Sequence, residues 1–175
     1  MIDLQKLKVV VFDFDDTLCV HTEHGSYDRQ KTRDYFKAMI NGKNWWDANG
    51  AKPSKAMQMF IDLLKERDIP MYLCSAVTSS IHATRKVAWV SKKYGVYMSD
   101  LCVAEPEDKL NALLALVDAL SVERDSILIV DDYYAVVESV ANAGFQSATP
   151  VEAIEFYEDT KQKVSDEDIQ NVAKN

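Results

Sequence analysis

Two clusters of aspartates each follow a short apolar run. Asp13, Asp15 and Asp16 come after the run Val-Val-Val-Phe, and Asp131 and Asp132 come after Ile-Leu-Ile-Val. Carboxylates this close repel one another and lose hydration when they are buried, so such a cluster is costly unless a cation compensates it. Magnesium prefers hard oxygen ligands and also keeps water and substrate phosphate in its shell. If the two runs are neighbouring strands, the sequence predicts a magnesium site where they end.

The elements that must position these aspartates alternate along the chain. Short apolar runs predict strands at 8–12, 71–74, 101–103 and 126–130, with a fifth at 145–148. Segments of helical period, bounded by capping residues, predict helices at 54–67, 79–93, 107–120 and 134–143. Strands that alternate with helices indicate an α/β fold, a three-layer α/β/α sandwich around a parallel, Rossmann-like sheet. The carboxyl ends of such strands form the ligand-binding crevice.

Two regions depart from this alternation. Residues 20–52 form a polar and aromatic insertion with one predicted helix at 28–40, and residues 151–175 form a tail predicted as a pair of short surface helices. We therefore assign residues 1–150 to one core that carries the insertion, followed by a C-terminal helical tail.

Charge and cysteine content narrow the class of protein. The chain has 28 acidic and 20 basic residues in 175, a formal charge of −8, which disfavours non-specific binding to nucleic acid and binding to anionic membranes. No run is long enough to serve as a signal or membrane segment. Three widely spaced cysteines, Cys19, Cys74 and Cys102, are typical of reduced thiols, and we expect a cytoplasmic protein.

Four motifs in order resemble those of the haloacid dehalogenase superfamily. The first is an apolar strand followed by Asp-x-Asp-x-Thr, here Asp13 to Thr17. The second is a Ser or Thr after the next strand, matched by Ser75, and the third is a Lys, best matched by Lys109. The fourth is the acidic pair 131–132. The resemblance spans residues 9 to about 145 and predicts a phosphatase.

The resemblance implies a role for each motif residue. Asp13 is the expected nucleophile, which forms an aspartyl-phosphate, and Asp15 the general acid and base. Ser75 and Lys109 are expected to hold the phosphoryl oxygens. The magnesium ligands are expected to be the Asp13 side chain, the Asp15 backbone carbonyl and Asp132, with Asp131 acting directly or through water.

Details of the motifs sharpen the expectation. Lys92 and Lys93 compete with Lys109 for the third motif, but they lie at the far end of the preceding helix. Position 16 holds Asp where many members have Gly. Dehalogenating members lack an acid and base at the position of Asp15, so its presence favours phosphoryl transfer.

The insertion is short for a folded cap domain, which predicts a minimal cap or none. An open site suits a macromolecular phosphorylated end, or a small phosphorylated molecule enclosed by a second subunit of a homo-oligomer. His21, His24, Trp45 and Trp46 are the candidate substrate contacts, although a tryptophan more often anchors an insertion to its domain. A zinc site that includes Cys19 is disfavoured because no fourth ligand is evident.

Two other classes of protein share parts of this pattern. A receiver-type signalling domain also uses acidic residues, a hydroxyl and a lysine around magnesium, but its phosphoacceptor follows the third strand. A catalytically silent binding module could keep the fold and the metal site. The intact motif residues favour the enzyme.

Overall fold

The protein is built on a parallel sheet of five strands, described here from a computed structural model. The structure describes residues 2–20, 46 and 51–172, with side chains up to residue 162. The strands are β1 (Val9–Phe12), β2 (Cys19–Val20), β3 (Lys52–Pro53), β4 (Met71–Leu73), β5 (Ser99–Asp100), β6 (Ile127–Val130) and β7 (Gln146–Ala148). The large sheet has the order β5-β4-β1-β6-β7, and every pair in it is parallel.

Within residues 51–172, five α-helices connect or follow these strands. They are α1 (Lys55–Glu66), α2 (Ser80–Tyr94), α3 (Lys109–Leu120), α4 (Tyr134–Asn142) and α5 (Pro150–Val172). Two helices begin at serine caps: the Ser54 hydroxyl accepts from Met57 N–H at 3.3 Å and the Ser79 hydroxyl from His82 N–H at 3.2 Å. Helix α2 ends at Gly95, whose φ of 63° is the left-handed conformation that glycine adopts without strain.

Side chains along β1 point alternately to the two faces of the sheet, and each face has its own apolar cluster. Val10 and Phe12 belong to the cluster formed with α1, α2 and the start of α5, whereas Val9 and Val11 belong to the cluster formed with α3 and α4. All four side chains are buried because helices cover both faces of the sheet. The predicted three-layer α/β/α sandwich is confirmed.

Two predicted elements differ from the structure. The edge strand β5 is Ser99–Asp100 and not 101–103, although the N–H groups of Leu101 and Val103 continue the pairing to Leu73 O and Ser75 O, at 2.8 and 3.0 Å. The predicted pair of helices in the tail is wrong, because α5 runs without a break from Pro150. Its first turns pack on the core, where Ala153 is fully buried.

The insertion leaves and rejoins the core at a short antiparallel ribbon. Strands β2 and β3 pair Cys19 with Pro53 and Val20 with Lys52, a contact that the sequence pattern did not predict. The helix predicted at 28–40 lies outside the described residues. The division into a core of residues 1–150 and a tail stays a prediction.

Among the described helices, none combines the length and the apolar character that a membrane span requires. Cys19, Cys74 and Cys102 carry reduced thiols.

Candidate active site

The sheet order brings three motif residues to one edge. Strand β1 lies between β4 and β6, with Phe12 paired to Leu73 on one side and to Val130 on the other. In chain order the five strands of the sheet are arranged 3-2-1-4-5, and such sheets bind ligands at the carboxyl ends of the strands where the order reverses. Asp13, Ser75 and Asp131 follow β1, β4 and β6 and are all buried at this edge.

Lys109 joins the two acidic clusters. It is the first residue of α3, and its Nζ donates to Asp13 Oδ1 at 2.7 Å and to Asp131 Oδ2 at 2.6 Å. The Lys109 side chain is 4% exposed, and the two carboxylates are 7% and 0% exposed. This bridge fixes the orientation of the Asp13 carboxylate at the end of β1.

Two carboxylates compete for this single ammonium. Burial by itself lowers the pKa of Lys109, but Asp13 and Asp131 outweigh it and hold the pKa above its ordinary value. Burial also raises the pKa of Asp13 to about 7; Lys109 opposes the rise and Asp131 adds to it. One lysine therefore does not compensate the negative charge of the site.

A third carboxylate makes the donor set suitable for a hard divalent cation. Oxygens of Asp13, Asp131 and Asp132 all lie within 4.8 Å of one another. The Asp132 residue is exposed to solvent, but partial desolvation, with Asp131 and Asp16 close by, still raises the pKa of its carboxyl to about 6. Asp131 is held by Lys109 and also accepts from Tyr133 N–H through Oδ1 at 2.9 Å. Three converging carboxylates with only part of their charge offset are the kind of oxygen site that Mg²⁺ occupies.

The loop after Asp13 is a tight turn with an unusual backbone. Asp16 has a φ of 52°, in the left-handed region where glycine is favoured and where aspartate is tolerated better than most other residues. Its N–H donates to Cys19 O at 2.9 Å, which closes the turn at the start of β2. The Thr17 hydroxyl is buried and has no hydrogen bond in the described part of the chain. This geometry accounts for Asp at a position where the resembled family often has Gly.

A second lysine, which the sequence analysis did not identify, lies on the other side of the loop. Lys86, in the middle of α2, donates through Nζ to Ser75 Oγ at 2.7 Å, to Asp15 Oδ2 at 2.6 Å and to Ala76 O at 3.2 Å. The side chain is 1% exposed. The available signal was its position on the buried stripe of α2, where a lysine is unusual because burying its charge requires partners.

Trp46 is the one candidate substrate residue of the insertion that the structure describes. It is 3% exposed, its ring meets Phe14 edge-on at 4.9 Å between centroids, and it stacks on His82 at 5.8 Å. Burial, with Lys86 close by, lowers the pKa of His82 to about 4, so its imidazole is neutral near pH 7. These contacts suit an anchor of the insertion, and a contact between Trp46 and substrate stays a prediction.

The other candidate substrate contacts, His21, His24 and Trp45, lie outside the described residues. Their role in substrate binding stays a prediction. Lys92 is exposed near the end of α2, and Lys93 Nζ lies over the ring of Trp89 at 5.7 Å from its centroid.

The chain is similar to known proteins in its structure but not in its sequence. No family model matches the chain, and no curated protein matches it in sequence. A haloacid dehalogenase-like hydrolase from Bacteroides fragilis has a TM-score of 0.55 at 16% identity, over 81% of this chain and 86% of the other. A hydrolase of the same superfamily from Ehrlichia chaffeensis has a TM-score of 0.53 at 15% identity, over 86% and 96%.

A third similar structure is the cobalt-bound form of deoxy-D-mannose-octulosonate 8-phosphate phosphatase from Haemophilus influenzae. Its TM-score is 0.50 at 17% identity, over 83% of this chain and 70% of the other. This chain spans 64% of a similar protein from Xanthomonas campestris, less than two thirds of its length, and 96% of the Ehrlichia hydrolase. The chain therefore has the haloacid dehalogenase-like fold that its motifs predict.

Proposed function

We propose that the chain is a magnesium-dependent phosphomonoester hydrolase that works through an aspartyl-phosphate on Asp13. The observation that carries the proposal is the Lys109 bridge, which holds the Asp13 carboxylate at the strand end beside a second acidic cluster. A structural ion pair would need one carboxylate, whereas three carboxylates converge here and Lys109 bonds two of them.

The residues that would hold the metal are those whose oxygens converge. Asp13 and Asp132 supply side-chain carboxylates and Asp15 its backbone carbonyl, and Asp131 acts directly or through water. When bound, Mg²⁺ offsets the negative charge of the carboxylates and of the transferring phosphoryl group. The cobalt-bound phosphatase of the same fold supports a metal at this site.

Four residues have defined roles in the two half-reactions. The Asp13 carboxylate attacks phosphorus while Asp15 gives a proton to the leaving oxygen. Asp15 then takes a proton from the attacking water, and the bond between Asp13 and phosphorus breaks. Ser75 and Lys109 hold the phosphoryl oxygens and offset their charge.

The sheet order argues against the receiver-type alternative. Receiver domains have the strand order 2-1-3-4-5, whereas the five strands of this sheet have the order 3-2-1-4-5. A silent binding module has the same fold as an enzyme, and only a measurement of turnover separates the two.

The substrate class follows from the proposed chemistry. We propose a phosphorylated small molecule or a phosphorylated macromolecular end, because the reacting groups need only a phosphomonoester. Enclosure by a second copy of the chain and a cytoplasmic location remain parts of the proposal.

Metal-dependent phosphate release tests the proposal directly. The chain is stripped with a chelator and assayed with p-nitrophenyl phosphate, with and without Mg²⁺. We expect turnover only with the metal, and acid-quenched enzyme should carry a phosphoryl group that peptide mapping places on Asp13. Asp13→Asn should abolish both signals.

The matched control is Asp118→Asn, because Asp118 is an exposed aspartate on the same helix as Lys109. It should retain wild-type turnover. Phosphate release that survives Asp13→Asn would show that Asp13 is not the nucleophile.

A further inference from the structure

Lys86 occupies a position where a lysine is costly. It projects from the middle of a helix, it is 1% exposed, and its Nζ lies 4.9 Å from the centroid of the Phe14 ring. An ammonium in such a place is stable only when its donors are engaged and its charge is paired. Its contacts should therefore explain why it is there.

The three hydrogens of the ammonium match three acceptors. Nζ donates to Ser75 Oγ, Asp15 Oδ2 and Ala76 O, at 2.7, 2.6 and 3.2 Å. Two of these acceptors belong to residues with separate roles in the proposed reaction. Lys109 binds different partners, Asp13 and Asp131, so the two lysines contact separate residues of the site.

We infer that Lys86 is a positioning residue, which orients the Asp15 carboxylate toward the leaving group and the Ser75 hydroxyl toward the phosphoryl oxygens. This inference rests on the proposed function. Lys86 acts through these two side chains and not on the substrate itself, because all three of its donors are already used.

The hydrogen bond from Lys86 to Ser75 determines where the hydroxyl hydrogen of Ser75 points. Ser75 Oγ accepts from Lys86, so its own hydrogen is available for an oxygen of the phosphoryl group. Ser75 is 1% exposed, and an immobilised hydroxyl loses little entropy when it binds the substrate.

The Asp15 contact selects one oxygen for proton transfer. The Asp15 side chain is 50% exposed and could rotate into solvent, but Lys86 holds Oδ2. With Oδ2 held in this way, we infer that Oδ1 is the oxygen that faces the leaving group. In the first half-reaction the bond from phosphorus to that group breaks, its electron pair stays on the leaving oxygen, and the proton of Asp15 moves to that oxygen.

Leaving-group dependence separates this role from a structural one. We propose to compare kcat/KM of wild type and Lys86→Met for 2,4-dinitrophenyl phosphate, whose leaving group needs no proton, and for glycerol phosphate, whose leaving group does. Methionine keeps most of the aliphatic stem and removes the ammonium. General acid catalysis contributes on the order of 100-fold or more, so we expect glycerol phosphate turnover to fall about 100-fold more than dinitrophenyl phosphate turnover.

A double variant tests whether the effect passes through Asp15. Asp15→Asn should change the ratio of the two kcat/KM values in the same direction. Adding Lys86→Met to Asp15→Asn should leave that ratio unchanged, because coupled residues are not additive. The matched control is Lys65→Met, an exposed lysine on α1, which should keep the wild-type ratio.

Several results would overturn the inference. Equal losses on both substrates would make Lys86 a structural residue. Lys86→Gln is the second variant to measure if Lys86→Met does not fold. Failure of both variants to fold would also assign Lys86 to the fold alone. Absence of turnover in the wild-type chain would instead overturn the proposed function, and the role of Lys86 with it.

Discussion

Lys109 Nζ lies 2.7 Å from Asp13 Oδ1, although the two residues are 96 positions apart in the chain. The contact exists because β1 ends, and α3 begins, at the same edge of the sheet. It makes the stability of the core dependent on the charges of the site.

Removing the Lys109 ammonium should destabilise the fold. Lys109→Met leaves two buried carboxylates without their partner, and breaking a buried pair in this way typically lowers the free energy of unfolding by about 3 kcal/mol. Urea denaturation in the presence of a chelator measures the change. Lys6→Met is the matched control: its pair with Asp125 is 2.8 Å long but exposed, so its midpoint should barely move. Equal midpoints for the two variants would contradict the prediction.

Asp132 should destabilise the metal-free chain and stabilise the chain when a metal is bound. Partial desolvation and two neighbouring aspartates raise the pKa of the exposed Asp132 carboxyl to about 6, so its ionised form is less favourable without a cation. Asp132→Asn should therefore raise the melting temperature in a chelator. A metal present at 100 times its Kd stabilises a protein by about 2.7 kcal/mol, and most of this gain should be lost in the variant.

Thermal melts with and without Mg²⁺ measure both effects of Asp132→Asn without an activity assay. Asp118→Asn should keep the full gain from Mg²⁺. A gain from Mg²⁺ that is the same in Asp132→Asn as in wild type would contradict the assignment of Asp132 as a ligand.

His82 should make stability depend on pH. Its pKa is lowered from 6.5 to about 4 in the folded chain, chiefly by burial. Between these values the unfolded chain binds a proton that the folded chain does not, so His82 makes the free energy of unfolding fall as the pH is lowered from 6.5 to 4.

Comparison with His82→Asn isolates this contribution. The amide oxygen of asparagine can replace Nδ1 as the acceptor for Thr78 N–H, but the side chain does not titrate. The difference in unfolding free energy between wild type and variant should shrink as the pH falls through this window. Two parallel curves would show that His82 does not titrate in this way.

Trp46 should anchor the insertion to the active-site loop. Its ring is buried against Phe14, which lies between the two motif aspartates, and against His82. Replacing a buried aromatic residue by alanine costs about 3 kcal/mol or more, so Trp46→Ala should show a loss of this size in urea denaturation. Tyr97→Ala, at a tyrosine that is 71% exposed, is the control and should change little. A similar, small effect for both would mean that Trp46 contributes little to the packing.

The sequence predicted the parts of the fold that local patterns determine. Buried parallel strands such as β1 and β6 read as continuous apolar runs, and Ser54 and Ser79 are recognisable helix caps. The edge strand was misplaced because β5 pairs on one side only and consists of Ser99 and Asp100, which carry no apolar signal. The unbroken α5 could have been expected, since neither Gly nor Pro interrupts it after Pro150.

Two kinds of signal predicted residues of the site: positions that follow strands, and the family resemblance, which added Lys109 at the start of α3. Asp13, Ser75 and Asp131 stand at strand ends, so the order of the motifs was enough to place them at one edge. Lys86 depends on which face of α2 turns toward the sheet and on how far its side chain reaches, and no motif spacing encodes either. The roles of all these residues stay predictions until the proposed variants are measured.

The β2–β3 ribbon gives the chain a modular architecture. Because Val20 pairs with Lys52, the segment between them starts and ends at adjacent points, and its length places no demand on the geometry of the sheet. Segments of different length and composition could therefore be exchanged here, by evolution or by design, without a change in the sheet. The graft would need one aromatic side chain to fill the space of Trp46 against Phe14, and the carboxylates and lysines at the strand ends would keep their positions.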